Sequence, residues 1–82
     1  LILVSVSGKS PNVLKAAKAA KKNKFSKIIT FSGHSSNNPL RRLGDINIWI
    51  NSKSYNQVEN SHQFILLLII DLIIEQNKYN QS

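Results

Sequence analysis

The feature that most constrains the fold is a serine- and glycine-rich turn between two segments of different hydrophobic pattern. Residues 1–6 form a nearly unbroken apolar run, which is typical of a buried parallel strand. Residues 10–23 carry apolar side chains at helical spacing, which predicts an amphipathic helix. Between them, Gly8 permits a tight turn, and Ser10 and Pro11 suit the N-cap and the first helical position. The sequence therefore predicts a strand, a tight turn and a helix in direct succession.

The same turn has the composition of an anion-binding loop. Ser5, Ser7 and Ser10 offer hydroxyl donors, and Gly8 allows a ligand to approach the backbone closely. The free N–H groups and the positive dipole end of the following helix favour an anion at the turn, most often phosphate. An ordinary strand-to-helix connection would use the same residue types, so this alternative stays open.

The rest of the chain continues the alternation of strands and helices. The remaining predicted elements are a strand at 27–31, a strand at 46–50 and a helix at 57–78. In the last strand Ile46, Ile48 and Ile50 fall on one face, so we expect it to lie at an edge or to be only half covered. The whole pattern predicts an α/β fold with a parallel sheet, flanking helices and right-handed crossovers.

The turn and the segments after it resemble a sugar isomerase (SIS) domain. Such domains carry a phosphate-binding S-x-S-G-x-S-x-N run after a parallel strand, and the matching residues here are Ser5, Ser7, Gly8, Ser10 and Asn12. The later segments are similar in order to the C-terminal half of phosphoheptose isomerases: a helix rich in Ala and Lys, two strands, and a helix that opens with Glu-Asn-Ser-His. The resemblance implies a doubly wound SIS-type fold, of which residues 1–82 would be the C-terminal part.

The resemblance also implies a ligand and a setting. The ligand would be a phosphorylated sugar of bacterial heptose, lipopolysaccharide or capsule precursor synthesis, and the protein would be cytoplasmic. Ser32 and Ser52, which follow the second and third predicted strands, are further candidates for binding it. The family implies an aldose–ketose isomerase, and a non-enzymatic module that senses a sugar phosphate is the alternative.

The last predicted helix departs from the family at the catalytic positions. Family members begin this helix with Gln-Glu-x-x-His and carry the catalytic acid/base histidine five residues further on. Here Glu59 stands at the Gln, Asn60 at the Glu and Leu67 at the second His. Glu59 and His62 remain as candidates for proton transfer, although such a pair is also ordinary first-turn chemistry. Zinc is conceivable from the family, but the chain has no Cys/His metal motif, so the cofactor is unknown and we expect no isomerase turnover.

Net charge and hydropathy limit the classes of partner that the chain could bind. The net charge of +7 suits anionic ligands, but a nucleic-acid binder is disfavoured because the aromatic residues do not cluster with the lysines. The run at 64–74 is strongly apolar, yet Asp71 interrupts it and it is shorter than the roughly 20 residues of a membrane span. We therefore expect no membrane association. We expect instead that the helix at 57–78 is buried in a core or in a homo-oligomer interface.

Overall fold

A parallel three-stranded sheet is the framework of the structure. The computed structural model describes residues 1–24 and 27–80. Its elements are, in chain order, β1 (Ile2–Val4), α1 (Pro11–Lys22), β2 (Ile29–Ser32), a 3-10 turn (Leu40–Arg42), β3 (Ile46–Trp49) and α2 (Tyr55–Asn80). In the sheet, β2 is central and pairs in parallel with both β1 and β3. The predicted α/β class with a parallel sheet is confirmed.

The strand register separates the two faces of the sheet. Val4, Phe31 and Ile48 are paired neighbours and share one face. That face carries α2, because the Phe31 ring meets the His62 ring edge to face, with 5.4 Å between the ring centroids. Trp49 follows Ile48 and so lies on the opposite face, with the 3-10 turn and α1. The sheet is therefore placed between α1 and α2.

The prediction that residues 1–6 form a buried strand is wrong in both length and burial. β1 has only three residues, and Ile2 and Val4 are 44% and 41% exposed. The physical reason is its place at an edge of the sheet, where no described element pairs with its outer side. The central strand β2 is the buried one, since Thr30, Phe31 and Ser32 are fully inaccessible. The expected edge position of the third strand is confirmed by β3.

The sequence predicted that the last helix is buried in a core or in an oligomer interface, and within one chain only part of α2 is covered. Its burial in an oligomer interface stays a prediction. One stripe at helical spacing is buried or half-buried and faces the sheet; it consists of Val58, His62, Ile65, Leu66 and Ile69. Large apolar side chains outside this stripe are exposed, with Phe64 at 65% and Leu67 at 58%. The radius of gyration is 14.0 Å, against about 12 Å expected for a compact chain of this length. The helix extends past the sheet that would have to cover it.

The apolar run at 64–74 is by itself too short to span a membrane. The helix that contains this run, α2, is longer than a membrane span requires. The part Tyr55–Asn77 is long enough and apolar enough to cross a bilayer, by length and composition alone. Asp71 and Glu75 both lie within this part. The absence of membrane association stays a prediction.

Candidate functional site

Two serine hydroxyls in the turn after β1 accept hydrogen bonds from the backbone of the same turn. The buried Ser5 Oγ accepts the backbone N–H of Gly8 at 3.1 Å, and the Ser7 Oγ accepts that of Lys9 at 3.2 Å. Both hydroxyls act as acceptors in these bonds, so the hydrogen of each hydroxyl is still available to a ligand. The turn is therefore stable by itself and keeps two donors.

The start of α1 differs in one respect from the sequence prediction. Ser10 occupies the N-cap position and Pro11 the first turn as predicted, but the Ser10 side chain makes no capping hydrogen bond. Its carbonyl oxygen accepts the Leu14 N–H at 3.0 Å. The N–H groups of Asn12 and Val13 therefore have no acceptor within the helix. The free Ser10 hydroxyl and these two amides form the donor-rich end of α1.

A cleft of about 480 Å³ opens between this turn and the start of α2, and we call it the serine cleft. It is lined by Val4, Ser5, Val6, Ser7, Ser10, Val13, Tyr55 and Glu59. Three of the predicted serines thus come together as expected for adjacent loop positions. Asn12 is exposed and lies outside the lining. The contribution of Tyr55 was missed, although it stands four residues before Glu59 and so shares its helix face.

Gly8 is held in place by a residue that the sequence did not single out. Its φ of +70° lies in the left-handed region, and a Cβ added there would come within 2.0 Å of the Asn38 Oδ1. The Asn38 amide donates to the Ser32 Oγ at 3.2 Å, the Gly33 carbonyl at 3.1 Å and the Ser35 carbonyl at 2.9 Å. Asn38 is 1% exposed. This side chain locks the loop after β2 against the turn after β1.

Ser32 and Ser52 are the two predicted binding serines outside the turn after β1, and the hydroxyls of both make hydrogen bonds within the protein. Ser32 is fully buried, and its hydroxyl accepts from Asn38 rather than lining the serine cleft. The Ser52 hydroxyl lies 2.7 Å from the Gln57 Oε1, to which it donates, and accepts the Ser54 N–H at 3.1 Å. Ser52 therefore organises the entry into α2. The structure does not bring either residue into the serine cleft.

His62 fastens α2 to the end of β2. Its Nε2 lies 2.8 Å from the Ser32 carbonyl oxygen, which can only accept, so Nε2 carries the hydrogen. Nδ1 is buried and has no partner among the described residues. Burial lowers the pKa of the His62 imidazole below its ordinary 6.5, and the bond to the Ser32 carbonyl only partly offsets this. The ring is therefore a neutral element of the core.

Glu59 and His62 do lie near each other, as their spacing on one helix face predicted. Both line a second, smaller cavity of about 160 Å³ beside Val4 and Val6. Glu59 also reaches the serine cleft, whereas His62 does not line it. Leu67, which the resemblance aligns with a catalytic histidine, is exposed and lines neither space. Glu59 is the one carboxylate lining the serine cleft within the described part of the chain.

The buried imidazole leads to a pH prediction. As pH falls through about 6.5, unfolded His62 takes up a proton while the folded form resists it. The unfolded state then binds more protons, so the free energy of unfolding falls as pH falls, by at most about 1.4 kcal/mol per pH unit. Urea denaturation between about pH 7.5 and 5.5 measures this slope. The variant His62→Gln should flatten this slope, and an unchanged slope in His62→Gln would contradict the assignment.

Comparison with protein-family models, with curated proteins and with solved structures found no match to the chain. Among the described residues, no group of three or more His, Asp or Glu side chains could hold a metal ion. The nitrogen His62 Nε2 is already committed to Ser32. The residues around Glu59 and His62 thus do not fit the zinc that the resemblance made conceivable.

Proposed function

We propose that this chain binds a phosphorylated sugar in the serine cleft and is part of a SIS-type domain. The observation that carries the proposal is the convergence of Ser5, Ser7 and Ser10 in one cleft beside the start of α1. The cleft lies at the carboxyl edge of a parallel sheet, where open α/β folds bind ligands. A phosphate there would accept from hydroxyls and from a helix N-terminus together.

The charges around the serine cleft determine the orientation of the phosphate and of the sugar. Glu59 would repel a phosphate placed beside it, and its carboxylate accepts hydrogen bonds well from sugar hydroxyls. The phosphate therefore belongs against the turn and α1, and the sugar toward α2. Lys9 is exposed within the turn and adds a positive charge on the phosphate side.

We propose binding without isomerase turnover, which is the non-enzymatic form of the function. Isomerisation needs a group that removes a proton from one carbon and returns one to the next. Glu59 can accept a proton, but the His62 Nε2 is occupied by the Ser32 carbonyl and Leu67 has no acid/base chemistry. These contacts support a sensing or regulatory role for the chain.

The binding test compares sedoheptulose phosphate with unphosphorylated sedoheptulose by NMR titration. The double variant Ser7→Ala, Ser10→Ala should bind the phosphate ester at least about tenfold more weakly, since a hydrogen bond to a charged group contributes about 1.5 to 3 kcal/mol. Its stability should fall by no more than about 1 kcal/mol, because only the Ser7 bond to the Lys9 N–H is lost and the Ser10 side chain makes no cap bond. Ser61→Ala, a serine of α2 outside the cleft, is the matched control. Equal titrations of the double variant and the wild type would refute the site.

A further inference from the structure

A second cleft lies at the carboxyl ends of β2 and β3. Its volume is about 520 Å³, and it is lined by His34, Ser35, Ser36, Trp49, Asn51 and Lys53. We call it the tryptophan cleft. It shares no lining residue with the serine cleft, so it is a separate space on the same edge of the sheet.

Two polar atoms of the tryptophan cleft are left without partners. The His34 Nε2 and the Trp49 Nε1 are both buried and make no hydrogen bond to the described residues. An indole N–H can only donate, so it needs an acceptor from outside its own ring. Buried donors without acceptors are rare and costly in folded proteins. An acceptor group entering this cleft would satisfy the indole N–H, and also the imidazole Nε2 in the tautomer that carries its hydrogen there.

The backbone at His34 is also held in an uncommon conformation. Its φ of +58° is left-handed for a residue with a side chain, and its N–H donates to the Ser52 carbonyl at 2.9 Å. Such strain persists only where the surroundings fix it, and it is concentrated at ligand sites. The conformation places the imidazole in the lining of the cleft.

The charge of this cleft is opposite to that of the serine cleft. The Arg41 guanidinium carbon lies 4.3 Å from the centre of the Trp49 ring, and its Nη1 donates to the Ser36 carbonyl at 2.9 Å. Lys53 lines the cleft and is exposed. No carboxylate is in the described lining, whereas Glu59 is in the serine cleft. Arginine keeps further N–H donors in a fork that matches an oxyanion.

We propose that the tryptophan cleft binds the phosphate group of a small molecule. The Trp49 indole N–H and the His34 Nε2–H donate to the phosphate oxygens, and Arg41 and Lys53 supply positive charge. Two cations match a phosphate dianion better than a carboxylate monoanion. Because both ring nitrogens are buried, the ligand displaces the groups that cover them when it enters. That movement changes the surroundings of Trp49.

The chain has one tryptophan, so its fluorescence reports on this cleft alone. Inorganic phosphate is titrated at constant ionic strength, with acetate and chloride as comparison anions. We expect a saturable change of Trp49 emission with phosphate and a weaker or linear one with acetate and chloride. Arg41→Gln and Lys53→Gln should each weaken the phosphate response about tenfold or more. Lys22→Gln removes one positive charge at the C-terminal end of α1, outside the lining of the tryptophan cleft, and should leave the response unchanged.

Each other outcome overturns the proposal in a distinct way. Equal weakening by Lys22→Gln and Lys53→Gln would mean that net charge alone attracts the anion. Equal saturation with acetate would remove the selectivity for phosphate. The Ser7→Ala, Ser10→Ala variant should keep the full fluorescence response, and its loss would mean that the signal comes from the serine cleft. Lys53 is exposed, so its variant stays informative even if Arg41→Gln does not fold.

Discussion

Gly8→Ala should lower the free energy of unfolding by about 2–6 kcal/mol. The left-handed backbone at Gly8 strains any residue with a side chain by about 1–3 kcal/mol. The added methyl group would also collide with Asn38, which is buried and bonded on several sides, and such overpacking costs a further 1–3 kcal/mol or so. A chain of 82 residues has a total stability of about 4 to 12 kcal/mol. The loss is therefore a large part of the whole.

Circular dichroism with urea denaturation measures this effect. Lys9→Ala is the matched control, since Lys9 is the next residue of the same turn, is exposed and has no positive φ. The control should stay within about 0.5 kcal/mol of the wild type. A folded Gly8→Ala protein with unchanged stability would show that Asn38 and the turn can separate without cost.

The wild-type chain should self-associate through α2 at micromolar concentration. Outside its sheet-facing stripe the helix exposes large apolar side chains, namely Phe64, Leu67, Leu68, Ile70, Leu72, Ile73 and Ile74. Full burial of one such side chain contributes about 1.5–3 kcal/mol, so burying several half-exposed ones in a second copy favours association strongly. Sedimentation velocity over a range of concentrations measures it.

A triple variant identifies the surface responsible. Leu67, Ile70 and Ile74 lie on one stripe of α2, away from the sheet, and their replacement by Gln should disperse the protein. Glu75→Gln is the control, because Glu75 is exposed and lies outside that stripe, and it should leave association intact. A wild type that sediments as a dispersed monomer would contradict the prediction. A monomer that moves onto lipid vesicles would assign the apolar surface to a membrane instead.

Local patterns were enough to predict the element types and the turn. Gly8 with Pro11 marked the turn and the start of α1, and the alternation of Ile46 and Ile48 marked an edge strand. These signals act between neighbours in the chain, where propensity and periodicity are strongest. The three serines of the cleft were found for the same reason, since they lie within one turn.

The features that were missed depend on distant partners. Nothing near Asn38 in the sequence shows that its amide will fill the space above Gly8, thirty positions earlier. The sequence left two roles open for His62, catalysis or first-turn chemistry. In the structure its role is set by contacts with the Ser32 carbonyl and the Phe31 ring, which are distant in the sequence. Apolar residues all round α2 predicted burial, and the sequence did not show which of them the sheet of the same chain would cover. Tertiary neighbours override local pattern in each case.

The pairing of the sheet also sets the order in which the chain can fold. Ile2 pairs with Ile29 and Ile29 with Ile46, so the paired residues are 27 and 17 positions apart. Each pairing must first close a long loop, which makes the formation of such sheets slow. Helices form within about a microsecond, far ahead of the sheet. We therefore expect the apolar surface of α2 to face water, and other copies of itself, before β2 exists to receive it.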